Sequence, residues 1–378
     1  MERVFKWLLV GLLFLLPQPA LSDRGMAHRV RQDRPIALGT SGGNVNDRSQ
    51  QFCCSGTLGA LIDANGTLEI LSNNHVLAIS NNGVIGDDVN QPGNIDVGCQ
   101  VISGDFVAKL SQFEPISFTA DNLMDAATAA IIPGTVRTDG AILDIGPPGS
   151  VPVEPALGMP VKKSGRTTGL TRGRIVALNV TVNVMYPEEC GDDSGQTARF
   201  VEQIRIRSRP CSPFRRFRRR FSKPGDSGSL VVEDRDSCPP PVGLLFAGGF
   251  CDTIANPIDA VLAAFNATLV GCEAPATATE APLRREWSMR DPRVAAAAAV
   301  QRRHTEALMR LPGVVGTGIG LSEETGQVVI EVYVERATAA LQRALPRRLE
   351  GLPVQVVETG TIVAQRCAVP LQGGSREP

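Results

Sequence analysis

Histidine is scarce in this sequence: three in 378 residues, His28, His75 and His304. With no Cys-x-x-Cys pair either, the chain offers little to build a structural zinc site. Neither sign of charge dominates, with 38 Lys and Arg against 39 Asp and Glu, so the whole protein has no electrostatic pull toward nucleic acid. Aromatic residues make up only 4%, while Gly (38) and Pro (27) are plentiful, which suits a turn-rich β protein better than a helical one. The N-terminal apolar run, Trp7 to Leu16, has about ten residues, where a bilayer core needs about 20.

That short run reads instead as part of a secretory signal peptide, residues 1–22. Arg3 and Lys6 precede it, Pro17 and Pro19 break it, and Ala20-Leu21-Ser22 offers small residues for cleavage before Asp23. A secreted or periplasmic protein can form disulfides. Nine Cys are present, so at least one is unpaired or intermolecular, and spacing alone does not give the connectivity.

The chain is long enough for two domains. Asp23 to Gln51 is a polar, Gly-rich arm with one short strand near Ile36-Ala37-Leu38. Strand signals then recur: Leu58–Ile62 and Leu68–Leu71 around the hairpin turn Asp63-Ala64-Asn65-Gly66, then Phe106–Leu110, Ala126–Ile132, Arg174–Val184, Phe200–Ile206, Ser229–Val232 and Val242–Ala247. Short strands punctuated by Gly and Pro over about 200 residues predict a mainly β fold, a sandwich or a pair of barrels. A helix over Pro257–Phe265 closes this first domain, 23–271. Residues 272–292 are Ala/Thr/Pro/Arg-rich without periodicity and read as a linker. Residues 293–370 then alternate helix, strand, strand, helix, strand, which predicts a small α+β domain whose role is not legible.

Chemistry concentrates in Lys223-Pro224-Gly225-Asp226-Ser227-Gly228-Ser229-Leu230. Gly225 permits a tight curl in which the N–H groups of Gly225 and Ser227 converge on one point and can stabilise an oxyanion. An isolated Gly-Asp-Ser-Gly is by default an ordinary turn. It gains weight from His75 in Leu71-Ser72-Asn73-Asn74-His75-Val76-Leu77, at the end of a strand, whereas His28 lies in the polar arm and His304 beside Arg302 and Arg303. Of the acids between His75 and Ser227, Asp125 is the best orienting partner, because it precedes the small, apolar strand Ala126–Ile132. Asp87, Asp88 and Asp96 sit in polar, turn-like contexts.

These residues, in the order His75, Asp125, Ser227, resemble the trypsin-like (chymotrypsin-fold) serine peptidases, above all the bacterial alpha-lytic and streptogrisin type. Asn73-Asn74-His75-Val76 is also similar to the high-temperature-requirement periplasmic proteases. The resemblance covers about Ile36 to Val270 and implies a double β-barrel with the cleft between barrels. It implies an ion pair between Arg166, in Ser164-Gly165-Arg166-Thr167-Thr168-Gly169, and Asp226. It places Phe221 and Ser222 in the primary specificity pocket and has Ala247, Gly248 and Gly249 pair with substrate backbone. No acid stands at the expected pocket base, so a medium apolar preference is expected rather than a basic one. The sequence departs from the pattern where Val76 follows the His in place of Cys, leaving Cys53 and Cys54 to pair elsewhere, one of them with Cys99. Arg207 to Lys223 is an unusual insertion carrying the run Arg215-Arg216-Phe217-Arg218-Arg219-Arg220, read first as a solvated loop.

The expected activity is that of a secreted serine endopeptidase acting on polypeptides through an acyl-enzyme, with no cofactor, no metal, no nucleic-acid partner and no membrane span after signal cleavage. The alternatives are a non-proteolytic binding or chaperone-like module on the same fold, and a self-processing protease or esterase. The C-terminal domain is expected to inhibit, to aid folding or to oligomerise.

Overall fold

The computed structural model describes residues 26–49, 52–187, 195–208, 220–273, 286–365 and the backbone of 367–370. The signal peptide, most of the linker and Arg215 to Arg219 lie outside the described residues; Arg220 sits over the Phe250 ring, 5.3 Å from its centroid. The fold is mainly β, in two sheets.

The first sheet grows from the hairpin Ala60–Ala64 and Thr67–Ser72. Its turn residues Asn65 and Gly66 both take positive φ, 55° and 86°, and the Asp63 carboxylate accepts the Gly66 N–H at 2.6 Å. From Thr67–Ser72 the order runs through Ala127–Ile131, Phe106–Phe113, Asp88–Asn90 and Thr40–Asn44 to Phe52–Leu58. Gly59 alone separates Phe52–Leu58 from Ala60–Ala64, so the sheet curls back on itself around a core that includes Leu61, Ile70, Val76, Val107, Leu110 and Val136. Ser72 pairs with Ala127, which brings the residues just after one strand and just before the other to one sheet edge.

The second sheet contains a closed ring: Pro160–Lys163, Leu230–Glu233, Pro241–Gly248, Asp252–Pro257, Thr197–Arg207 and the long strand Thr171–Met185, which pairs with both Thr197–Arg207 and Pro160–Lys163. Six strands closed in this way leave no edge and a filled interior. Cys53 pairs with Cys99 and Cys238 with Cys272; Cys54 and Cys251 are also disulfide-bonded. Among the described residues no helix is long and apolar enough to cross a membrane.

The C-terminal elements do not build a sheet of their own. Val314–Leu321 pairs with Thr171–Met185, Val328–Val334 pairs with Val314–Leu321, and Leu352–Glu358 follows in parallel after the helix Ala339–Ala344. They therefore extend the second sheet outward. The helix Pro292–Met309 packs against them, started by Pro292 and by the Asp291 side chain accepting the Arg293 N–H at 2.9 Å. The final strand read in the sequence as Val354 to Val363 runs from Leu352 to Glu358, and pairing resumes at Val363–Ala364 and Cys367–Pro370.

One buried ionic group ties this extension to the ring. Arg205 is 2% exposed and reaches Asp252 at 2.8 Å and Glu331 at 2.6 Å, with Tyr333 donating to Glu331 at 2.9 Å. Burial, with Glu331 close by, raises the Tyr333 phenol well above its ordinary value, so it stays a neutral donor. Replacing Arg205 by Met leaves Glu331 buried without its cation. The expected cost is about 3–5 kcal/mol by chemical denaturation, smaller in the double variant R205M/E331Q.

Candidate active site

Gly225 and Gly228 flank Asp226 and Ser227 with φ of +95° and +93°, conformations that side chains rarely adopt. A Cβ on Gly228 would run into the Ser72 hydroxyl and the Thr57 carbonyl, so the loop packs directly on the first sheet. From the other side the Gly228 N–H donates to Leu245 and the Leu245 N–H to Ser229, docking the loop on the strand Pro241–Gly248.

Asp226 is fully buried and its carboxylate is saturated with donors. The backbone N–H groups of Thr167 (2.9 Å), Thr168 (3.1 Å) and Lys223 (2.9 Å) and the Thr168 hydroxyl (2.8 Å) all point at it. Its cation is Lys163, 3.4 Å away and equally buried. The ion pair expected between Arg166 and Asp226 is replaced: the Arg166 guanidinium makes a bidentate contact with Asp96, both bonds 2.7 Å. The register of Lys163 opposite Val231 aims the lysine at the Ser227 loop, while the Ser164–Gly169 turn carries the arginine side chain to the short helical turn Asn94–Val97. The hint in the sequence was Lys162-Lys163 just before Ser164-Gly165-Arg166.

His75 and Asp125 meet at the edge set by the Ser72–Ala127 pair. His75 Nδ1 lies 2.5 Å from Asp125 Oδ2, and the His75 backbone N–H donates to Oδ1 at 3.2 Å. Tyr186 donates to Oδ2 at 2.8 Å and packs edge-on against the imidazole. Asn73 and Asn256 both donate to the Asp125 carbonyl, fixing the backbone on which the carboxylate sits. Asn73 belongs to the Asn73-Asn74-His75-Val76 phrase, whereas Asn256 had no signal in the sequence and Tyr186 none beyond being one of only two tyrosines. The other histidines are engaged elsewhere: His28 with Gly39 and Asp144, His304 with Glu350.

Ser227 and His75 have no exposure. The Ser227 hydroxyl donates to the Phe246 carbonyl at 2.9 Å, and His75 Nε2 has no hydrogen-bond partner among the described residues. The Gly225 N–H is engaged too, at 2.6 Å from the carbonyl of Gln365. Ala247 and Gly248 pair with Ala364 and Val363, and a Cβ on Gly249 would meet Thr359 and Ile362. Ser222 is bonded to Thr253 at 2.6 Å, whereas Phe221 belongs to the core of the second ring, with Val161, Ile175 and Val231. A separate cavity of about 490 Å³, lined by Arg174, Arg205, Arg207 and Glu331 among others, contains none of the serine-site residues.

No known family profile and no curated protein matches the chain. Among solved structures it is similar to a glutamic-acid-specific serine protease, at 19% identity over 62% of this chain and 100% of that one, with a TM-score of 0.41. Thermobifida fusca protease A matches at 17% over 63% and 99% (TM-score 0.40), and Cellulomonas bogoriensis chymotrypsin at 19% over 63% and 99% (0.38). These are chymotrypsin-fold bacterial serine proteases. At such identities and scores the likeness carries no argument, and the reading of the site rests on its own geometry.

Lys163 gives the site a measurable signature. Burial pushes its pKa below the usual 10.5, against the pull of Asp226. The unfolded chain therefore holds this proton more tightly, and stability from this group rises as pH climbs through the lowered value toward 10.5. Lys163→Met should flatten that alkaline slope and, by leaving Asp226 buried without its cation, cost about 3–5 kcal/mol in equilibrium unfolding.

Proposed function

We propose that the protein is an exported serine endopeptidase in which Ser227 is the nucleophile, His75 the general base and then acid, and Asp125 the group that orients His75. The observation that carries this reading is the conjunction at one sheet edge. A buried carboxylate grips one imidazole nitrogen and leaves the other free, beside a Gly-Asp-Ser loop whose Gly225 N–H already holds a peptide carbonyl. Disulfides Cys53–Cys99 and Cys238–Cys272 support an oxidising compartment.

In this reading Ser227 turns about χ1 from the Phe246 carbonyl toward His75 Nε2, which takes its proton as Oγ attacks the scissile carbonyl. Asp125 holds the imidazole with its Nε2 free and stabilises the imidazolium. Tyr186 and the His75 N–H share the carboxylate and keep it in place. Negative charge developing on the carbonyl oxygen falls against the Gly225 N–H, which the Asp226 cluster holds rigid. The imidazolium then protonates the leaving amine, and water, activated by the same His75, releases the acyl group. Substrates are polypeptides laid along Ala247–Gly249 as an added strand.

Ser227→Ala should abolish both peptide hydrolysis and covalent labelling by a fluorophosphonate. Asp125→Asn should lower turnover by about 10⁴ while leaving the fold intact. Full activity in Ser227→Ala would overturn the assignment. A chain that hydrolyses nothing and never labels would instead fit a binding module on the same fold.

A further inference from the structure

The cleft is already filled, and what fills it is this chain. From Thr359 to Gln365 the backbone runs along the strand Pro241–Gly248 as a substrate would. The Phe250 N–H donates to the Thr359 carbonyl at 3.1 Å, and the Met185 N–H to the Ile362 carbonyl at 2.9 Å. Val363 and Ala364 pair antiparallel with Gly248 and Ala247, and the Gln365 N–H donates to the Phe246 carbonyl at 3.0 Å. The Gln365 carbonyl then receives the Gly225 N–H at 2.6 Å. Beyond the following bond, Cys367–Pro370 pairs with Phe52–Leu58, with Cys367 opposite Ser55. The segment thus enters on the second sheet and leaves on the first, and the Gln365 carbonyl lies at the crossing.

The side chains are enclosed too, although the buried Gln365 Oε1 has no hydrogen-bond partner among the described residues. Ile362 is 1% exposed, in the apolar cluster with Tyr186, Phe200 and Phe246. Gln365 is 4% exposed, and its amide lies where a Cβ on Gly248 would stand, beside the Asp252 carbonyl. The hydroxyls of Ser222 and Thr253 lie close to this strand end, with Thr253 paired to Gly248. Polar groups thus stand near the Gln365 amide, where the sequence suggested a medium apolar preference.

We propose that the protein is its own substrate, cut between Gln365 and Arg366, and that its cleft selects a Gln-type amide before the scissile bond. This rests on the reading of Ser227 as nucleophile. Ser227 Oγ bonds to the Gln365 carbonyl carbon, and the bond from that carbon to the Arg366 nitrogen breaks. His75 passes the serine proton to the new amine, water then hydrolyses the ester, and Gln365 ends as a carboxylate. Residues 366–378 are freed from the main chain, but Thr359–Gln365 stays attached through the residues before it. As a tethered product it competes with outside peptides at an effective concentration that can reach the millimolar range. The cut chain consequently remains slow toward other substrates until this strand leaves.

The test is the intact mass of the purified full chain after reduction, with Ser227→Ala and Gln365→Pro alongside. Proline removes the N–H that holds Phe246, and circular dichroism and a melting curve check that the variant folds. The wild type should end at Gln365 and Ser227→Ala at Pro378. Gln365→Pro should stay uncut at this bond, label with fluorophosphonate at least about tenfold faster than the wild type, and cleave added peptides best after Gln. A wild type that stays whole yet labels at Ser227 overturns self-cleavage and leaves the serine hydrolase standing. Loss of 366–378 in Ser227→Ala as well assigns the cut to another protease and overturns the proposal. Dominant cleavage after large apolar or basic residues overturns the amide preference. Absence of labelling in both the wild type and Gln365→Pro brings down the Ser227 reading itself.

Discussion

A carboxylate without water is the constraint around which this site is arranged. Asp226 lies in a fully buried position, where an isolated charge would be prohibitively costly, and it persists because four donors and one ammonium converge on it. These groups come from three places in the fold. Thr167 and Thr168 come from the turn after Pro160–Lys163, Lys223 from the residues leading into the loop, and Lys163 from the strand that pairs with Leu230–Glu233. Moving the Ser227 loop would therefore break the pairing of charges. The positive φ at Gly225 and Gly228 goes with the same demand, since the loop turns its carboxylate inward while the Gly225 N–H reaches the Gln365 carbonyl.

The C-terminal elements meet the enzyme-like portion through the same kind of interaction, at a different place. Arg205 is carried by a strand of the ring yet pairs with Glu331 on a strand of the extension, and Gly316 and Gly318 of the neighbouring strand leave room for Tyr333. A domain joined only by a linker would have no need of a buried cation shared between its own strand and the ring. Here the extension is part of the same sheet, and its last pairing strand delivers Thr359 to the cleft. The geometry of the extension and the occupancy of the cleft have one cause.

Much of this was legible because local chemistry is strongly directional. The Asp63–Gly66 turn could be read because only Asn-Gly suits two positive φ values in succession. Asp125 stood out because a carboxylate before a run of Ala and Thr has little water around it once the strand forms, and the Ser72–Ala127 register brings it to His75. The cation beside Asp226 was misread for a physical reason. Lys163 and Arg166 are three residues apart, and only the pleat of one strand and the turn that follows decide which carboxylate each one finds. Nothing local marks Gln365. Its role arises from Gly360, whose φ of +69° redirects the chain after Glu358, and from pairing with strands more than 100 residues away.

The state of Ser227 fits a cleft that is occupied but at rest. One carbonyl, Phe246, accepts both the Gln365 N–H and the Ser227 hydroxyl, so the contact that seats the segment shares its acceptor with the serine. His75 Nε2 meanwhile remains buried with no partner among the described residues, a position that carries the desolvation penalty of an unpaired polar atom. In the proposed mechanism, turning Ser227 toward His75 would give that nitrogen a partner and leave the Phe246 carbonyl to the Gln365 N–H alone. The segment is held by its ladder of backbone bonds, and in the proposed reading it faces a serine whose hydroxyl is engaged with the Phe246 carbonyl.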